Sequence, residues 1–142
     1  MRKILFRGKT LATGDWEYGA FVKFRASDGN VFDAIMQECN GEHLSSEVYS
    51  IRSETLGQYT GVNDRDGEEI FEGDIVDCGG MIGIVEFGMS YDDAKFYIKF
   101  DKKHRTYING LHFWTTHEGE NQLKVIGNIW DNPELLKGDY NE

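Results

Sequence analysis

Carboxylates gathered around a glycine are the first place to look for chemistry in this chain. In Asp64-x-Asp66-Gly67-Glu68, alternating acids in a turn have the composition of a site for a hard divalent cation. The spacing rejects the twelve-residue calcium loop. With Gly67 at its sixth position, Val62 falls at the first and Gly73 at the twelfth, where carboxylates are required. A plain turn explains the segment better, because Asn and Asp hydrogen-bond their own backbone and Gly accepts positive φ. Weak cation binding by Asp64, Asp66 and Glu68 is what is left of the idea.

Other chemistry-bearing residues do not assemble into a site. His43, His104, His112 and His117 lack the spacing of a helical metal site, and Cys39-x-x-x-His43 has no second ligand pair. Neither cysteine and no serine lies in a nucleophile elbow, and no glycine-rich phosphate loop is present. The acids Glu68-Glu69, Glu72, Asp74 and Asp92-Asp93 are the material for a hydrolytic pair, but adjacency in sequence does not set the separation that acid–base work requires. No residue is therefore nominated as catalytic, cofactor-binding or metal-ligating, and no cofactor is expected. The aromatics Trp16, Tyr18, Tyr59, Phe71, Trp114 and Trp130 offer either core packing or a displayed contact surface.

The elements that hold these residues read as strands and tight turns. Trp16, Tyr18, Ala20, Val22 and Phe24 alternate with Glu17, Gly19, Phe21 and Lys23, a period of two that predicts a strand with one buried face. With Lys3–Lys9 before it and Val31–Met36 after the Ser27-Asp28-Gly29-Asn30 turn, residues 1–37 predict a three-stranded meander. Gln37–Ser46 is the least readable stretch, and a boundary is expected near it, with subdomains 1–52 and 53–142. Leu56–Thr60 and Glu69–Phe71 flank Asn63–Gly67 as a hairpin, and Gly73 is placed at a corner leading into Ile75-Val76, with Asp74 available to local amides. Gly79-Gly80 suits a two-residue hairpin loop before Met81–Phe87. Lys95–Asp101 alternates cleanly, so Phe96, Ile98 and Phe100 are expected in one core with Ile75, Val85 and Val125, while Lys95 and Lys99 face solvent. Thr106–Thr116 predicts a further hairpin around Asn109-Gly110, Leu123–Trp130 the last strand, and Asn132-Pro133 a helix start with Asn132 as its cap.

A chain of 142 residues is long enough to bury roughly two-thirds of its unfolded surface without disulfide or metal staples. Its 25 acidic and 15 basic residues leave a net charge of −10, which opposes any mechanism that neutralises many phosphates, so nucleic acid is not an expected partner. The basic groups at Lys102-Lys103-His104-Arg105 and around Arg2, Lys3, Arg7 and Lys9 read as solvated turns and strand ends. No apolar run approaches a membrane span or a signal sequence, so the expectation is a cytoplasmic protein with no membrane partner. Cys39 and Cys78 are too few for a disulfide framework.

Two longer words, ETLGQYTGVNDRDGEEIFEGDIV at Glu54–Val76 and VIGNIWDNPELL at Val125–Leu136, with KILFRGK and DWEYG near the start, resemble the YopX family of small proteins encoded mostly by phages and prophages. The resemblance implies a mainly β fold with a small β-barrel in the C-terminal part, and a tendency to self-associate. It carries no established activity to particular residues. The leading expectation from the resemblance is a noncatalytic phage or prophage accessory protein in the cytoplasm of a bacterial host cell, acting through protein contacts as a homo-oligomer or with a host or phage protein. The alternatives are a small acidic cation-dependent hydrolase and an acidic nucleic-acid mimic that binds a host protein.

Overall fold

A computed structural model describes residues 2–37, 47–90, 93–101, 110–116 and 119–136. It contains two compact units, Met1–Tyr59 and Thr60–Glu142. Both are built mainly from antiparallel strands.

The first unit contains β1 (Phe6–Lys9), β2 (Trp16–Arg25), β3 (Val31–Gln37), β4 (Glu47–Ser50) and the start of β5 (Gly57–Asn63), in the sheet order β4-β3-β2-β1-β5. The expected β1-β2-β3 meander forms, with Arg7 opposite Tyr18 and Val22 opposite Ala34. Its first turn is organised by Thr10, whose hydroxyl accepts from the Thr13 and Gly14 amides at 3.1 and 3.2 Å. In its second, the Asp28 carboxylate accepts from the Asn30 amide at 2.9 Å. The sheet then curls. The Arg52 amide donates to the Lys9 carbonyl at 2.8 Å and the Leu11 amide to the Ser50 carbonyl at 2.9 Å, bringing the end of β4 back to the β1–β2 turn. Ile35 and Ile51 are buried inside the curl. Gly8 is required there, because a Cβ would lie 2.6 Å from Ile51 Cδ1. Gln37 is the last described residue before 38–46, so most of the unreadable Gln37–Ser46 stretch lies outside the described residues.

The second unit receives the far half of β5, which pairs with β6 (Glu69–Phe71), and contains a four-stranded sheet of order β10-β7-β8-β9. Its strands are β7 (Asp74–Cys78), β8 (Met81–Ser90), β9 (Asp93–Phe100) and β10 (Leu123–Asn128), with one helical turn, α1 (Leu111–Thr116). The β7–β8 loop is the expected two-residue hairpin, with φ of +59° at Gly79 and +102° at Gly80 and Cys78 opposite Met81. Ile70, Val76, Cys78, Val85, Ile98, Phe100, Leu111, Trp114 and Leu123 form the buried cluster, with Phe96 and Val125 packed against it half-buried.

Several expectations are modified in this unit. The mainly β architecture stands, and among the described residues the four-stranded sheet runs from β10 to β9 without closing into a barrel. Residues 111–116 are helical instead of half of a hairpin, because Leu111 and Trp114, one helical turn apart, are both buried while His112 between them is exposed. Thr106–Asn109 lies outside the described residues. In β7 it is Val76 that joins the cluster, while Ile75 is fully buried on the other face of the strand. Phe96, Ile98 and Phe100 point to the cluster as expected, and Lys95 and Lys99, on the opposite face, are half-buried. Beyond β10, Pro133–Leu135 makes only a 3-10 turn. The Asn132 side chain does not cap it, because its Oδ1 instead accepts from the Asn128 amide at 3.2 Å.

Candidate functional site

The carboxylate turn is the first candidate, and its atoms are already engaged. The Asp64 side chain is fully buried. Its Oδ1 accepts from the amides of Asp66 and Glu68, both at 2.9 Å, and its Oδ2 accepts from the Val125 amide on β10 at 2.9 Å. Lys124 bonds Asp66 at 2.7 Å and stands 4.0 Å from Asp64. Burial by itself would push the Asp64 carboxyl up. The Val125, Glu68 and Asp66 amides, with Lys124, outweigh it and hold the carboxyl below its ordinary value. A low pKa and three amide donors suit neither a general base nor a vacant cation ligand. Asp64 ties the hairpin turn to the last strand. The Arg65 amide, donating to the Leu123 carbonyl at 3.0 Å, and the Asn121 side chain, donating to the Asn63 carbonyl at 2.9 Å, repeat that tie.

The second candidate, the Glu72-Gly73-Asp74 corner, is also built for structure. Gly73 has φ +87°, and its amide donates to the Val85 carbonyl at 2.8 Å while its carbonyl accepts from Ile129 at 2.9 Å. The Trp130 ring closes over its α-carbon so tightly that a Cβ would lie 2.6 Å from Cη2. Buried Asp74 accepts from the Phe71 amide at 2.8 Å, as its position before the strand suggested. The ring is placed by Asn128, whose Oδ1 accepts from the amides of Trp130 and Asp131 at 3.0 and 2.8 Å. The two sequence words singled out above are therefore bound to one another along β7 and β10, and at both the Asp64 and Gly73 contacts.

The remaining chemistry-bearing residues stay dispersed. Among the described residues no three of His, Cys, Asp and Glu converge as a metal would need. His112 is exposed on α1, and His43, His104, His117, Cys39 and the Lys102–Arg105 group lie outside the described residues. Cys78 is buried, and burial, with Asp77 adding to it, pushes its thiol up to about 12, the opposite of a reactive thiolate. Trp114 and Phe71 are core residues, whereas Tyr18 is 42% exposed.

What the structure displays is apolar surface on the outside of the first sheet. Register places Tyr18, Ala20, Val22 and Phe24 of β2, Phe32 and Met36 of β3 and Val48 of β4 on the face opposite Ile35. Tyr18, Ala20, Phe24 and Val48 are exposed there, and the Phe24 and Phe32 rings stack at 5.4 Å. At one end of this surface an open groove of about 390 Å³ runs between Leu11 and Val48. The alternation in Trp16–Arg25 contained this surface, since both its faces carry aromatics. The alternation implies one buried face, and the structure reverses the expected facing: Phe21, opposite buried Ile35, lies on the inner side, whereas Tyr18 and Phe24 of the more apolar row are exposed.

These features define a two-unit antiparallel β protein with a motif-built clasp in the second unit and a displayed apolar face on the first. The YopX protein family profile matches residues 5–137, and the chain belongs to that family. Its fold is similar to that of protein EF1440 from Enterococcus faecalis, with a TM-score of 0.53, 20% identity, and coverage of 96% of this chain and 100% of that one. Comparison with curated proteins found no match. Among the described residues no helix is long and apolar enough to cross a membrane.

Proposed function

We propose that this YopX-family protein is a noncatalytic phage or prophage accessory protein that works in the host cytoplasm through protein contacts, and that copies of it associate through the outer face of the first sheet. The observation that carries the reading is the row of exposed apolar side chains Tyr18, Phe24 and Val48 on a regular strand surface, where large apolar patches mark contact sites. The Asp64 and Asp74 carboxylates are bonded to backbone amides and Asp66 to Lys124, engagements that suit structure rather than hydrolysis. Sedimentation velocity from low to high micromolar tests the reading: the parent associates with concentration, and a Tyr18→Ser/Phe24→Ser variant stays monomeric with an unchanged urea midpoint. A parent that remains monomeric throughout that range refutes self-association through this face.

A further inference from the structure

The β8–β9 hairpin is longer than the sheet that supports it. Pairing of β7 with β8 ends at Ile75 opposite Ile84, whereas β8 and β9 stay paired out to Ser90 opposite Asp93. Among the described residues, only β9 pairs with residues 86–90 of β8. Val85, Phe87 and Met89 alternate onto one face and are 1%, 53% and 72% exposed. The face that begins as core thus runs out into solvent along the β8–β9 arm, whose β9 side is bridged by Gly110 at Tyr97. Phe96 lies opposite Phe87, with the rings edge to face at 4.9 Å, and on the reverse side Tyr97 donates to Glu86 at 2.9 Å. Those contacts fix the arm, so Phe87 and Met89 are presented on an ordered support. A large aromatic beside an adaptable methionine is a combination well suited to a binding anchor.

Charge identifies what covers it. Residues 1–59 hold eight acidic and seven basic residues, whereas residues 60–142 hold 17 acidic against eight basic. Nearly all of the net charge therefore belongs to the unit that carries the arm. A second copy would bring like charge to this unit. We infer that the arm docks a basic amphipathic segment of a different protein, whose apolar side chains cover Phe87 and Met89 while its cations meet the acidic unit. Such complementarity speeds encounter and selects partner sign, and the apolar pair sets the lifetime.

The inference rests on the reading that the protein acts through contacts, and it is tested with synthetic peptides on the full chain. One peptide alternates Lys with Leu and a second alternates Lys with Ser at the same length and charge. Fluorescence anisotropy is read at about 50 mM and about 300 mM salt. Expected is a salt-sensitive complex with the Lys/Leu peptide that weakens at least about tenfold in Phe87→Ser/Met89→Ser and is unchanged in Tyr18→Ser/Phe24→Ser. Equal binding of both peptides, equal binding by the arm variant, or no binding at all overturns it. Sedimentation of the arm variant separates the two ideas. Retained self-association together with failed peptide binding refutes the arm alone, whereas a monomeric parent refutes the sheet-face contact independently.

Discussion

Replacing Gly73 by Val tests the structural role of the central motif most directly, because two independent penalties meet at one atom. At φ +87° a residue with a Cβ costs on the order of 1–3 kcal/mol, and a β-branched side chain sits at the upper end. The added Cβ also falls within 2.6 Å of the Trp130 ring, and forcing such overpacking costs typically about 1–3 kcal/mol more. Together the loss is about 2–6 kcal/mol, a large part of the roughly 5–15 kcal/mol that a domain has in total. Urea unfolding followed by fluorescence gives the loss, and Gly73→Ala, with and without Trp130→Ala, separates its sources. The ring share is recovered when Trp130 is removed and the backbone share is not. A loss below about 0.5 kcal/mol for Gly73→Val, or no coupling between positions 73 and 130, refutes this reasoning. Loss of partner binding at unchanged stability would make the corner a functional surface instead.

Two further outcomes follow from the titrating groups. Asp64→Asn places an NH2 donor against amide donors and should destabilise by about 1–3 kcal/mol at neutral pH. Because the folded carboxyl titrates below its ordinary value of 3.8, its contribution is complete above the unfolded pKa and is lost as pH falls through the folded one. Urea midpoints between about pH 2 and 7 should therefore show a steeper acid decline in the parent than in Asp64→Asn, and parallel curves would count against the three-amide cage. In a Cys39→Ser background, Cys78 should resist alkylation at pH 8, well below its thiol pKa of about 12, and react at the rate of unfolding. Rapid labelling of the native protein would show that the Cys78 end of β7 opens locally.

The sequence exposed strands and turns far better than it exposed what joins them. Period-two runs such as Phe96, Ile98 and Phe100 and the glycine pair at 79–80 announce themselves locally, since side-chain alternation and positive φ are properties of a few consecutive residues. Ile75-Val76 carries no alternation, so which of the two faces the cluster was undecidable until β7 was registered against Ile84 and Gly83. Six residues at Leu111–Thr116 are too few for a helical period to compete with Asn109-Gly110 read as a hairpin turn. The bond from Val125 to Asp64 spans 61 positions, and no local pattern encodes it. Asp64 therefore read as a turn residue, which it is, without the buried tie to β10 that explains its carboxylate. The candidate surfaces were hidden for a related reason: exposure of Phe87 and Met89 arises from the mismatch between a ten-residue β8 and a five-residue β7, a relation between strands.

That long-range clasp also sets an order of events in time. The first unit's meander joins strands that follow one another closely, so its ladders can close soon after each strand is made. The second unit has to wait. Until Leu123–Trp130 has been synthesised, Asp64 lacks its Val125 amide, Gly73 lacks the Ile129 donor and the Trp130 lid, and β7 is missing one neighbour. At roughly 5–20 residues per second the gap between Asp64 and Val125 amounts to about 3–12 s of synthesis. Through that interval the nascent chain carries an uncovered β7 edge beside the core residues of β8 and β9. This window of aggregation risk ends when the last strand closes the sheet.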